Sequence, residues 1–149
     1  MKKRQSAFTL LEILVVMVMI VVIMSFFSSS MMKSLDKAKI RAASKDLVSA
    51  LRYTRGQAVV KHEEKTISFN VKDKTYKAPR KKMVKIPQEM EMYVYTASSD
   101  IASDSVGSIR FFSDGSSTGG WVKLVHGDKI WQINVNWLTG EISKVEGSS

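Results

Sequence analysis

From Phe8 to Phe27 the chain runs through 20 residues with one formal charge, Glu12. At about 1.5 Å per residue a helix of that length covers roughly 30 Å, the hydrocarbon thickness of a bilayer. The run predicts a membrane-spanning helix over 8–27, because only a helix or a closed barrel satisfies its own backbone hydrogen bonds in lipid. An acid inside such a span costs about 2.5 kcal/mol or more on insertion scales. Glu12 therefore either snorkels to the interface or meets a partner charge.

Charge does not orient the span. Lys2, Lys3 and Arg4 precede it, and Lys33, Lys37, Lys39, Arg41 and Lys45 follow closely, so counting positive residues favours, if anything, the opposite topology. A secretory signal peptide needs a shorter apolar core followed by a small-residue cleavage site, which Ser28-Ser29-Ser30 imitates only loosely. With 149 residues there is room for one domain besides the anchor, over 63–149, and its small size limits the surface it can bury. The absence of cysteine excludes disulfides and cysteine-ligated metals.

After the apolar run, Ile40, Ala43, Leu47, Ala50, Thr54 and Ala58 recur at helical spacing, a narrow stripe with Lys37, Arg41, Lys45 and Arg52 turned elsewhere. No proline interrupts 8–62, which allows one long helix, and Gly56 is the expected place for it to fray or end. From Lys65 the period falls to two. Ile67, Phe69 and Val71 alternate with polar residues, Asp73-Lys74 reads as a turn, and 75–77 returns as a short partner. The basic segment 79–87, with Arg80, Lys81, Lys82 and Lys85 between two prolines, reads as a loop, since the prolines argue against a central strand. Further strands are expected around Met90, Met92 and Val94, over 109–112, over 121–125, over 130–137 with Trp131, Ile133, Val135 and Trp137 on one face, and over 142–145. Residues 97–108 read as a loop.

Lys2-Lys3-Arg4, a small residue, Phe8-Thr9-Leu10-Leu11-Glu12 and the unbroken apolar run resemble the class III leader of type IV pilins and type II secretion pseudopilins. The resemblance implies that a prepilin peptidase cuts between Ala7 and Phe8 and methylates the new amine, that 1–7 is lost, and that Glu12, the fifth mature residue, acts in assembly. Two departures are Ala7, where Gly is usual, and Ser29, where a proline commonly bends the helix. Leu51-Arg52-Tyr53-Thr54-Arg55-Gly56-Gln57-Ala58 resembles the Leu-Arg-x-x-Arg-x-x-Ala pattern of the GspH/FimT branch, although an amphipathic helix with two solvated arginines gives the same letters. Phe112-Ser113-Asp114-Gly115 through Gly120, a strand pair carrying Trp131, and Leu138-Thr139-Gly140 resemble that branch's C-terminal signature. The glycines there also suit tight turns on their own account.

The fold class is accordingly α+β: a long N-terminal helix, transmembrane over 8–27 and periplasmic over 28–62, packed on a small antiparallel sheet domain of about five to eight strands at 63–149. The resemblance implies a non-enzymatic minor pseudopilin at or near the tip of the type II secretion pseudopilus. Its partners would be other pseudopilins, the prepilin peptidase and inner-membrane lipid, with the N-terminus cytoplasmic. A FimT-like minor pilin of a type IV pilus with a role in DNA uptake is one alternative, and a generic membrane-anchored periplasmic binding domain is another. The formal charge of +9 includes three residues of the leader, and the C-terminal stretch 141–149 is mixed in sign, so nucleic acid binding is expected to be weak or absent. No residues suggest catalysis: His62 and His126 lie in no triad or zinc motif. No cofactor is implied. Asp100 and Asp104 lack the ladder of a calcium loop, and the Gly/Ser segment 113–120 lacks the Gly-Lys-Ser/Thr ending of a phosphate cradle.

Overall fold

The computed structural model describes residues 9–96 and 106–148, with the side chains of 26–37 outside that description. They divide into two compact units, Met1–Ala38 and Lys39–Ser149.

The first unit carries the opening turns of α1 (Leu10–Lys61). Thr9 caps it: its Oγ1 accepts a hydrogen bond from the Glu12 backbone N–H at 3.3 Å, and its carbonyl accepts from Glu12 and Ile13 at 3.0 and 3.3 Å. A threonine three residues before a glutamate is an N-terminal capping pattern. Every described side chain over 10–25 is exposed, the large apolar ones by 46–85 %. A helix that is apolar on all sides needs a membrane or an assembly to cover it. Among the described residues no helix is long and apolar enough to cross a membrane. The span expected over 8–27 includes Phe8 and the side chains of Phe26 and Phe27, which lie outside the described residues.

In the second unit α1 buries Ile40, Ala43, Ser44, Leu47, Val48, Leu51, Thr54 and Ala58. The stripe read from the sequence was correctly phased but too narrow. Ser44, Val48 and Leu51 join it, and Ala50 is only partly buried, because a helix lying on a sheet covers more than one row of side chains. The two buried hydroxyls bond back into the helix, Ser44 to the Arg41 carbonyl at 3.1 Å and Thr54 to the Ala50 carbonyl at 2.7 Å, so neither is left unsatisfied. Gly56 does not end the helix. α1 continues to Lys61 and closes where His62 turns to φ 52°. The His62 N–H then reaches the Val59 carbonyl, and the Glu63 N–H reaches the Ala58 carbonyl at 3.2 Å, a Schellman closure with histidine in the place usually held by glycine.

Among the described residues eight strands follow: β1 (Lys65–Asn70), β2 (Thr75–Lys77), β3 (Val84–Lys85), β4 (Glu91–Thr96), β5 (Val106–Phe111), β6 (Gly120–His126), β7 (Lys129–Val135) and β8 (Ile142–Ser148). They form two antiparallel sheets, β3-β2-β1-β5 and β4-β6-β7-β8, where one had been expected. The division arises because β5 pairs back with β1 (Ile67 opposite Ile109) while β4 pairs with β6 (Val94 opposite Val122). The two sheets meet at β4 and β5, where Thr96 Oγ1 donates to the Ser108 carbonyl at 2.7 Å. Gly107 permits this approach, since a Cβ there would lie 2.9 Å from Val94 Cγ1.

Ile67, Phe69, Ile109 and Phe111 from one sheet and Met92, Val122, Leu124, Trp131, Ile133 and Val135 from the other share a core with α1. β5 begins at Val106, before the expected 109, so the loop read over 97–108 gives up its end to a strand; 97–105 lie outside the described residues. The loop expected over 79–87 carries a two-residue strand, β3, which lies at the end of its sheet and not in its centre. β7 stops at Val135, and Trp137, expected on its buried face, is 66 % exposed. The cause is Asn136, whose Oδ1 accepts the N–H groups of Leu138 and Thr139 at 2.9 and 3.2 Å and turns the chain.

Candidate functional site

Of the residues that the sequence marks, Ala7 and Phe8 lie outside the described residues. Glu12 is in the first turn of α1, its backbone held by Thr9, its side chain exposed and in no ion pair among the described residues. The Thr9-x-x-Glu12 spacing is the signal that could have revealed this cap.

The other marked patterns converge in the second unit. From α1 the half-buried Arg55 reaches two turns at once: Nε donates to the Gly115 carbonyl at 3.1 Å and Nη2 to the Thr139 carbonyl at 3.0 Å. The reading of both arginines as solvated holds for exposed Arg52 but not for Arg55. Around this latch each turn is held by its own side chains. Asp114 Oδ1 accepts the Ser116 N–H at 2.9 Å and its hydroxyl at 2.6 Å, which holds the Asp114 carboxyl below its usual range. Ser117, buried, donates its hydroxyl to the Asn136 carbonyl at 3.0 Å and takes the Gly119 N–H at 3.0 Å. Gly140 completes the joint at φ 62°, with its N–H on the Asn136 carbonyl at 2.9 Å. A Cβ on Gly140 would fall 2.0 Å from the Gly115 carbonyl oxygen and 2.9 Å from Arg55 Nε. The three separated sequence patterns are therefore one structural joint, pinning the helix to the turns before β6 and β8.

Chemically this joint is a clamp: a guanidinium, two serine hydroxyls and backbone N–H groups donate to backbone carbonyls, to the Asp114 carboxylate and to the Ser117 hydroxyl. His62 sits at the helix closure, and His126 ends β6. Among the described residues no three potential ligands gather to hold a metal ion. Two further exposed acids shift through neighbouring lysines: Lys65 lowers Glu63, and Lys144 lowers Glu146.

A helix with an apolar, acid-bearing head and later turns packed on two antiparallel sheets defines the class of type IV pilin-like proteins, whose solved members share this fold. Within that class the chain belongs to the family described as Type II transport protein GspH, whose model matches residues 43–140. The prokaryotic N-terminal methylation motif matches 2–28. The chain is 28 % identical over 142 residues to Type II secretion system protein H of Xanthomonas campestris pv. campestris, covering 95 % of this chain and 84 % of that one. Its fold is similar to the minor pseudopilin EpsH from the Type 2 Secretion System of Vibrio cholerae (TM-score 0.57, 8 % identity, 72 % of this chain and 96 % of that one). It is also similar to the type IV minor pilin FimU of Pseudomonas aeruginosa (TM-score 0.53, 14 % identity, 72 % and 89 %).

Proposed function

We propose that this chain is a minor pseudopilin, a non-enzymatic structural subunit of the type II secretion pseudopilus that assembles at or near its tip with other pseudopilins. The observation that carries the reading is the pairing, in one chain, of an N-terminal methylation motif over 2–28 with a GspH region over 43–140. On this reading the leader 1–7 is removed between Ala7 and Phe8, the new amine is methylated, and 8–27 anchors the protein in the inner membrane with 28–62 and the domain at 63–149 in the periplasm. Glu12 then acts as the assembly charge. The Phe8 amine is a cation four residues earlier in the sequence, and the amine of an adjacent subunit offers the same charge, which relieves a carboxylate in lipid and sets the register of the added subunit.

Intact-mass measurement of membrane-extracted protein tests the processing: loss of seven residues and gain of one methyl at Phe8 is expected, and retention of Met1 to Ala7 in cells that contain the peptidase refutes it. Restoring export to a strain deleted for the gene, with co-purification of sibling pseudopilins, tests the role. One second reading is a FimT-like type IV minor pilin with a part in DNA uptake, which the basic residues Arg80, Lys81, Lys82 and Lys85 make testable. Sub-micromolar duplex binding that survives physiological salt would move the assignment there. The expected result is weak binding that falls steeply as salt rises.

A further inference from the structure

Within the second unit a cleft of about 530 Å³ opens between α1 and the segment from β2 to β3, walled by Ala50, Tyr53, Tyr76, Ala78 and Val84. That volume lies within the roughly 300–1,000 Å³ of ordinary binding sites. Its charged groups are divided. Asp46 stands on the α1 side, and Lys81 and Lys82 stand on the loop side, delivered by a turn in which Arg80 adopts φ 57° and the Lys81 N–H bonds the Ala78 carbonyl at 3.2 Å. Lys81 Nζ lies 4.8 Å from the centre of the Tyr53 ring. Neither lysine has an acidic partner among the described residues. Beside the cleft runs β3, the terminal strand of its sheet.

Resting on the pseudopilin reading, we propose that this cleft receives one large apolar side chain from an acidic segment of a second protein chain, with a carboxylate of that segment on Lys81 and Lys82. Charge complementarity selects the sign of the partner: two exposed ammonium groups beside an apolar cavity are matched by an acid next to an apolar residue. The cavity selects the kind of partner. A phosphate backbone would use the lysines but leave the apolar walls in water. A lipid chain would fill the walls but make no use of the free edge of β3, whose unpaired backbone groups suit an extended peptide.

The test places a benzophenone-bearing amino acid at Val84 in the full chain, expressed in cells with their own secretion apparatus, and identifies photoadducts by mass spectrometry. The expected adduct is a peptide of another chain with Asp or Glu within a few residues of the apolar attachment point. Lys81→Glu with Lys82→Glu should cut its yield by about tenfold, and Lys in place of the partner's acid should restore it in that background. Filling the cavity with Ala50→Trp should abolish it at an unchanged melting temperature. Phospholipid or nucleic acid adducts, a peptide without a nearby acid, a yield indifferent to charge reversal, or no adduct would each overturn the proposal. A protein that is processed and restores export but gives no such adduct fails this inference alone, whereas failure of processing and export removes the functional reading beneath it.

Discussion

At the scale of single residues, Arg55 and Gly140 carry the joint that the sequence patterns share. Arg55→Ala removes two charge-assisted hydrogen bonds and leaves the Gly115 and Thr139 carbonyls to water, a loss of roughly 2–3 kcal/mol. Arg55→Lys should recover little of it, because an ammonium cannot span two acceptors as a planar fork does. Gly140→Ala should cost at least as much, since the new methyl meets a backbone oxygen at a backbone angle that L side chains rarely adopt. Urea unfolding of the three variants checks the order. Arg52→Ala, with its side chain exposed, should stay within about 0.5 kcal/mol of the parent. Glu12 answers to a different measurement. Glu12→Leu should insert into membrane as well as the parent or better, yet co-purify less with sibling pseudopilins and support less export. Equal recovery and normal export at matched expression would return Glu12 to a snorkelling acid with a capped helix terminus.

At the scale of elements, α1 shows a weak local signal overruled by packing. Glycine inside a helix costs about 1 kcal/mol relative to alanine, yet α1 continues through Gly56 because Leu51, Thr54 and Ala58 on either side are fully buried against the sheets. Nothing lies within 4 Å of where a Gly56 side chain would be placed. Gly56→Ala is therefore expected to raise stability by about 0.5–1 kcal/mol without altering the fold, measured as a shift of the urea midpoint at constant slope. A fall in stability, or loss of function with stability gained, would instead mark Gly56 as a contact for another chain. The strands give the complementary case: alternation located β1, β4 and β7, while their ends were set by Asn136 and by pairing across the sheet.

At the scale of the whole molecule, the core holds a titratable group. Tyr76 is buried, and burial, with Asp46 adding to it, pushes its phenol from 10.0 up to about 12. A phenol raised in the folded state stabilises the fold fully below its unfolded value and loses that contribution as pH rises through the folded one. Stability should hold to about pH 9 and then drop by about 2 kcal/mol more in the parent than in Tyr76→Phe by about pH 12. Denaturant melts of the two proteins across that range read the difference. Parallel curves would show that Tyr76 ionises in the folded protein as freely as in water.

The sequence alone determined the features whose cause is local. An unbroken apolar run with one acid, a 3.6-residue period and then a period of two follow from neighbouring letters, and they sufficed for an α+β chain, its long helix and its resemblance to the GspH branch. Tertiary structure decided whatever depends on partners far along the chain. Nothing near Arg55 in sequence shows that its acceptors are the carbonyls of Gly115 and Thr139, 60 and 84 residues away. The same holds for the division into two sheets, since alternation shows which side chains share a face but not which strand lies alongside. The exposure of Trp137 has instead a local cause that alternation does not show: the side chain of Asn136 captures two backbone N–H groups and stops a strand that its letters would have continued.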